Sequence, residues 1–507
     1  MTPVPARRRL PVAVYAVCQL LLLAWWAAYH PGLMSYDTIA YVWHVTTGHW
    51  MANHSVPYDG LVWLSLHLTG DLALLTLAQT VAAAVVLAYA SGVLCRLGVR
   101  ARWAGSAAIV VPALPPLGTF LISIWKDVPF SISAVLAFAA AGRLVAHRAA
   151  GETSGRMPTI ALLAVGFTGL VLFRNNGFLA AAIAAPVLIV TLRGTRLRVA
   201  AATLAPVALS FALTGWLYPA LRIEGARPSL TYATAYADVA AAYARRPETF
   251  TPADTALMAQ VAPLSHWTAG ANCYDSDWLT NRRPFHAEVA DTLNQQLLAL
   301  WARTIKRTPG VVAGARMCRG SIAWRVFPGP TSLDAGTLIA GTQVAESRFG
   351  WATPGHRMAG SPYLPVLAIR PLSASVHHVA ESARDASRAS WLAWLLWRGA
   401  LWCYVAYGAV AAYAWRRRLP AAGALVALTA GLQLCVLAAN PAQLFRYMAA
   451  PIIIGILALP LVTVRRELAD PRHHPVTTGR ETPESPPPEP VPLPSTTDAA
   501  RRPAAAG

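Results

Sequence analysis

Along most of this 507-residue chain, apolar residues fall in long runs separated by short polar stretches rich in arginine. The runs lie near 10–29, 71–95, 104–123, 128–145, 159–173, 178–192, 199–219, 391–414, 421–439 and 448–464. Most approach the roughly 20 residues that cross a ~30 Å hydrocarbon core, so the pattern predicts an all-α polytopic membrane protein with about ten transmembrane helices. Residues 1–219 form a membrane module of about seven spans and 391–465 a second of about three. The segment 30–70 carries Ile39, Trp43, Trp50, Trp63 and Leu66 without completing a span, which reads as helices lying in the plane of the membrane interface.

The pair 159–173 and 178–192 is short, about 15 residues or ~22 Å each. Two readings follow. Either the junction Arg174-Asn175-Asn176-Gly177 is recessed and must be answered by protein or a watery cavity, or the first helix begins earlier, near Met157, and the junction is an ordinary Asn-Gly turn. Residues 220–390 form one large segment outside the membrane, with enough apolar content for a modest domain leaning on the membrane part. The tail 466–507, with Pro486-Pro487-Pro488, cannot bury a core and reads as disordered and cytoplasmic.

Fifteen arginines form five clusters, Arg7 to Arg9, Arg96/Arg100/Arg102, Arg143/Arg148/Arg156, Arg193/Arg196/Arg198 and Arg416 to Arg418. The positive-inside rule places these, and both termini, on the cytoplasmic side of the cell membrane, and puts 30–70, 124–127, 174–177, 220–390 and 440–447 outside. Long segments translocate whatever their charge, so the arginines of 220–390 do not contradict this. The first run resembles a secretory signal, but it is long enough to span and lacks a good small-x-small site, so we read an uncleaved helix. A net charge of +19 would point to nucleic acid in a soluble protein. Here the charge flanks spans, where it meets anionic lipid headgroups, and nucleic acid is excluded as a partner.

Cys18, Cys95, Cys403 and Cys435 fall in or beside spans as packing residues. Cys273 and Cys318 lie in the outward segment, where a disulfide is feasible but connectivity is not readable from sequence. Neither a Cys-x-x-Cys nor a His-x-x-x-His pair marks a metal cage.

The outward turns carry the candidate chemistry. Asp37 follows the first span in Ser35-Tyr36-Asp37, either as a functional carboxylate or as a helix cap shared with Ser35. His54 and Asp59 lie in Asn53-His54-Ser55-Val56-Pro57-Tyr58-Asp59, Lys126 and Asp127 follow Trp125, and Arg174 with Asn175 and Arg446 with Tyr447 occupy later turns. A carboxylate, an imidazole and isolated cations on one face suit a hydroxyl nucleophile attacking an electrophile whose leaving group is anionic. Snorkelling cations and a satisfied loop histidine are the plain alternatives.

With these residues, over roughly 1–219 and 391–465, the chain resembles the GT-C superfamily of polytopic membrane glycosyltransferases, and in particular its uncharacterised bacterial integral membrane proteins. The features are Asp37 after helix one, His54 and Pro57 in the first loop, the Trp-Lys-Asp turn, the Arg-Asn-Asn-Gly turn and the Arg446-Tyr447 pair. The resemblance implies a polyprenyl-phosphate-linked sugar as donor, an extracytoplasmic glycan, lipid or protein as acceptor, and inversion at the anomeric carbon. It assigns Asp37 to catalysis and His54, Lys126, Asp127, Arg174, Asn175, Arg446 and Tyr447 to substrate. Many GT-C enzymes have two adjacent acids in the first loop. Here Thr38 follows Asp37, which leaves metal dependence open, with Asp37 the candidate ligand. A transporter or lipid flippase, or a non-catalytic membrane scaffold for envelope assembly, are the alternatives from other classes. Against transport stand the clustering of polar groups at one face and the lack of a visible repeat.

Overall fold

A computed structural model describes residues 5–153, 155–272, 274–329, 358 and 360–465. The tail 466–507 and Cys273 lie outside the described residues. The described chain is helical, with only isolated bridge pairs in place of strands. Among the described residues six helices are long and apolar enough to cross a membrane, α1 (Pro5–Ala28), α4 (Ala73–Arg96), α7 (Asp127–Ala149), α8 (Arg156–Phe173), α10 (Arg196–Ala220) and α17 (Pro420–Ala439). Two bent pairs raise this to as many as eight: α5 (Ala101–Ala113) with α6 (Pro115–Leu121), and α15 (Ser390–Leu396) with α16 (Ala400–Arg417). The expected spans at 178–192 and 448–464 correspond to shorter apolar helices, α9 (Gly177–Thr191) and α18 (Ala449–Thr463). Large apolar side chains such as Val12, Val85, Val165, Val190 and Phe211 stand exposed on the outer faces, as a lipid-facing surface requires and a water-facing one does not.

The bend between α5 and α6 is 71°. It has a local cause: Leu114 precedes Pro115-Pro116, and the proline ring drives the residue before it out of the helical region, to ψ 124°. The tight partner of α7 is α8, brought close by small residues. A Cβ on Gly166 would stand 2.8 Å from the Ala137 side chain and 2.9 Å from the Ser133 carbonyl, so only glycine allows this approach. Helix α8 starts at Arg156, as in the second of the two sequence readings, and so runs 18 residues, while α9 stays at 15. The turn between them is nonetheless buried at Arg174, against protein. Its glycine is obligatory, because a Cβ on Gly177 would lie 1.9 Å from the Leu170 carbonyl.

The segment 30–70 holds two helices, α2 (Tyr36–Thr47) and α3 (Val56–Thr69). The 220–390 insert has a core of its own around Tyr236, Trp267, Phe285, Leu297 and Leu300. Its helices include α11 (Ala233–Arg245), α12 (Asn294–Arg307), α13 (Pro309–Arg319) and α14 (Ala374–Ala386). Buried Asp238 is answered by Arg316 at 2.7 Å and by Arg319. The same region grips the end of α17 and the loop after it: Arg316 Nη1 donates to the Ala438 carbonyl (2.7 Å), Asn440 Nδ2 to that of Arg319 (2.9 Å), and Gln443 Nε2 to that of Cys318 (2.9 Å). Cys318 is disulfide-bonded, whereas Cys18, Cys403 and Cys435 are free.

Candidate functional site

Asp37 reaches its place because the chain leaving α1 is sewn to the turn before α7. Ile124 N–H donates to the Leu33 carbonyl (2.8 Å), Thr38 Oγ1 donates to the Ile124 carbonyl (3.1 Å), and Trp125 Nε1 donates to Ser35 Oγ. Ser35 is the N-cap of α2, in a capping box in which its hydroxyl accepts from the backbone N–H of Asp37 and Thr38 Oγ1 accepts from Ser35 N–H. The cap is therefore Ser35, and the Asp37 carboxylate is released from that duty. It pairs instead with Arg446, at 2.5 Å, across 409 residues of chain.

The other expected residues gather beside this pair. Lys126 Nζ lies 2.7 Å from His54 Nδ1, and with Lys126 charged this contact calls for neutral His54 with its proton on Nε2. Arg174 Nε stands 3.4 Å from Asp127, and its guanidinium covers the Tyr447 ring at 4.1 Å and the Phe130 ring at 5.5 Å. Arg446 lies over Trp125 (4.9 Å) and Tyr447 (5.3 Å), with Asp127 at 4.0 Å. Asn175 plays a different part from its neighbours. Its side-chain amide is spent on the carbonyls of Ala52 (3.0 Å) and Asn53 (3.2 Å), so it braces the loop that presents His54. Ser55, the N-cap of α3, adds a second brace by donating to the Leu172 carbonyl at 2.7 Å.

Electrostatics sort these groups. Burial would by itself raise the Asp37 carboxyl, but Arg446, with Lys126 behind it, outweighs burial and holds Asp37 well below the usual carboxylate range. Burial is the main cause that pushes Lys126 and His54 below their ordinary values, and for His54 the Lys126 charge adds to it. Arg446 is held in its charged form despite burial, chiefly by Asp37.

Sequence reasoning missed two groups here. One is His44, which with Asp59 forms a fully buried pair, Nδ1 to Oδ2 at 2.9 Å, tying α2 to α3; its ring lies 5.9 Å from that of His54. The other is Tyr41, packed edge-on against His54 and Tyr58. Their signal was present as a helical spacing, since Asp37, Tyr41 and His44 stand three and four residues apart on one face of α2. Several buried polar atoms around this spot have no hydrogen-bond partner among the described residues: Tyr41 Oη, His44 Nε2, Asp59 Oδ1, Asp127 Oδ1 and Arg446 Nε. Removing Asp59 as Asp59→Ala should leave His44 buried and alone, at a cost of about 1–3 kcal/mol. Thermal unfolding of the purified protein checks this, and an unchanged midpoint would deny the pair its bracing role.

Among the described residues no group of three His, Cys, Asp or Glu could hold a metal ion. The donors at hand, a carboxylate tied to a guanidinium and an imidazole tied to an ammonium, do not fit a divalent cation. No protein-family model, curated protein or solved structure matches this chain.

Proposed function

We propose that the protein is a membrane glycosyltransferase that moves a sugar from a polyprenyl-phosphate donor to an acceptor hydroxyl on the outer face of the cell membrane, with inversion. One observation carries the reading. Three cations from separate turns, Lys126, Arg174 and Arg446, converge with Asp37 and Asp127 at one end of the helices. The arginine clusters stand at the other ends of α7 and α8, at Arg143, Arg148 and Arg156. In this reading the ten apolar segments all cross the membrane, both termini face the cytoplasm, and the converged cations face outward.

Nucleotide sugars are absent on that side, so the sugar must arrive on a lipid that has crossed already. The three cations then bind the phosphate of that lipid and stabilise it as it leaves, a fixed electrostatic arrangement that costs no reorganisation during the reaction. Asp37 holds Arg446 in position for this task, and His54 does the same for Lys126. The outer insert recognises the acceptor, whether glycan, lipid or protein. Polar groups gathered at one end of the helices, instead of midway along them, argue against a translocation path.

The direct experiment is purified protein in lipid nanodiscs with a radiolabelled polyprenyl phosphosugar. Transfer to an added acceptor or to water supports the reading, whereas movement of the lipid across vesicles without transfer would overturn it. A cysteine-accessibility map supplies an independent check: 30–70, 124–127, 174–177, 220–390 and 440–447 should label from outside. Labelling of 220–390 only from the cytoplasm would remove the basis for a lipid-borne donor.

A further inference from the structure

The insert reaches the site at several points, Glu224 against Trp50 and Ala52 among them, and one short stretch runs directly to the Arg446 loop. Residues 274–277 lie along 441–443. Ser276 donates both its backbone N–H and its hydroxyl to the Pro441 carbonyl, at 2.8 and 2.9 Å, Gln443 N–H donates to the Tyr274 carbonyl at 3.1 Å, and Asp275 pairs with Ala442 as an antiparallel bridge. Arg446 follows Gln443 by three residues. Within the stretch, Asp275 Oδ1 accepts from the backbone N–H of Asp277 at 2.9 Å, so Asp275 is used in shaping the turn. Asp277, half-buried, has no side-chain hydrogen bond or ion pair among the described residues.

The charged groups facing Asp277 come from three elements: Asp275 on its own stretch, Arg446 and Tyr447 on the loop before α18, and Asp37 on α2. Arg282 lies over the neighbouring Trp278 ring at 5.1 Å and bears on Asp275. Burial, with the Asp275 charge next, pushes the Asp277 carboxyl up to about 7, although Arg446 pulls the other way. Asp37 is its opposite, tied to Arg446 and held strongly acidic. A useful general base has a value near the working pH, which Asp37 lacks.

We infer that Asp277, carried by the insert onto the Arg446 loop, takes the proton of the acceptor hydroxyl, while Asp37 holds Arg446 against the donor phosphate. The inference rests on the transferase reading. In the step, the acceptor O–H proton passes to an Asp277 carboxylate oxygen as the acceptor oxygen bonds to the anomeric carbon. The bond from that carbon to the phosphate oxygen breaks, and its electron pair leaves with polyprenyl phosphate, held by Arg446, Arg174 and Lys126. Asp277 then returns the proton to water on the outer side. The insert thus supplies acceptor recognition and base from one piece of chain, so that a bound acceptor meets its base in place.

Two measurements on the full chain in nanodiscs test this, each comparing wild type with Asp277→Asn and Asp277→Glu. In transfer assays, wild-type kcat should rise with pH through about 7, because the base must be deprotonated. Asp277→Asn should lose that rise and about a hundred-fold or more in kcat with donor KM little changed, and Asp277→Glu should recover part of the rate. In binding assays, a polyprenyl phosphohexose serves as probe, since a phosphodiester keeps its charge across this range. As Asp277 ionises it adds a negative charge beside Arg446, so wild-type affinity should fall about three- to ten-fold from pH 6 to pH 8, while Asp277→Asn stays flat. An Asp277→Asn protein with wild-type rate and pH profile overturns the inference, and so does donor binding with no pH dependence in the wild type. Wild-type protein that shows the pH-linked binding but transfers sugar to no acceptor overturns the transferase reading and the base role together, while keeping Asp277 in the site.

Discussion

Asp37→Asn should lower sugar transfer about a hundred-fold or more while the protein still inserts and purifies as the wild type does. Asn matches the size of Asp, and the start of α2 is secured by Ser35 and Thr38, so the substitution does not unmake the helix. What it removes is the charge that holds the Arg446 guanidinium at 2.5 Å. Arg446 would keep Asp127 at 4.0 Å, the faces of Trp125 and Tyr447 and the more distant Asp277, a looser cradle in which it can drift from the donor phosphate. The sign of the pH effect follows from the lowered value of Asp37. A carboxyl depressed in the folded state contributes stability above its unfolded value near 3.9, and that contribution is lost only as pH falls through the lower folded value. The titration of Asp37 itself should therefore add no pH dependence to the stability gap between wild type and Asp37→Asn from pH 5 to pH 8, and any slope near pH 7 in thermal unfolding would come from Asp277, which the Asp37 charge helps to push up. Single-turnover transfer is the deciding assay, and undiminished rate in the variant would leave Asp37 with a structural role alone.

Arg174→Ala should weaken donor binding about ten- to hundred-fold, equivalent to ~1.5–3 kcal/mol for a charge-assisted contact, and leave acceptor binding largely unchanged. The substitution also strips buried Asp127 of its nearest cation, which threatens folding for reasons unrelated to the donor. The double variant Arg174→Ala, Asp127→Asn removes that complication, and it should fold normally yet bind the donor as weakly as the single variant. Arg174→Lys should recover only part of the affinity, since an ammonium cannot present paired donors or lie flat on Tyr447 as a guanidinium does. Lys126 and Arg446 are more exposed than Arg174, so their alanine variants should show smaller losses in binding. Donor affinity unchanged in the double variant would remove the cations from the phosphate.

How far the chain could be read without its fold depends on the range of each interaction. Apolar runs and arginine clusters are local and redundant, and they located the helices α1, α4, α7, α8, α10 and α17 to within a few residues at most ends. The Pro115-Pro116 bend is just as local, but an apolar run of 20 residues conceals it unless the residue before proline is weighed. The choice between Asp37 as cap and Asp37 as free carboxylate lay beyond local reading, because Ser35 and Asp37 both make good caps. Contact with Trp125 and Arg446 decided it.

From the sequence by itself came the class of molecule and the residues Asp37, His54, Lys126, Asp127, Arg174 and Arg446 as isolated polar groups in the turns between apolar runs. Hydrophobic length and charge asymmetry act over a few residues, so they survive in one dimension. Partnership did not: the pairing of Asp37 with Arg446, the use of Asn175 as a brace, the buried His44–Asp59 pair and the approach of Asp277 each join positions that only packing brings together. A charged side chain takes its chemical character from its burial and neighbours, and those are properties of the tertiary structure.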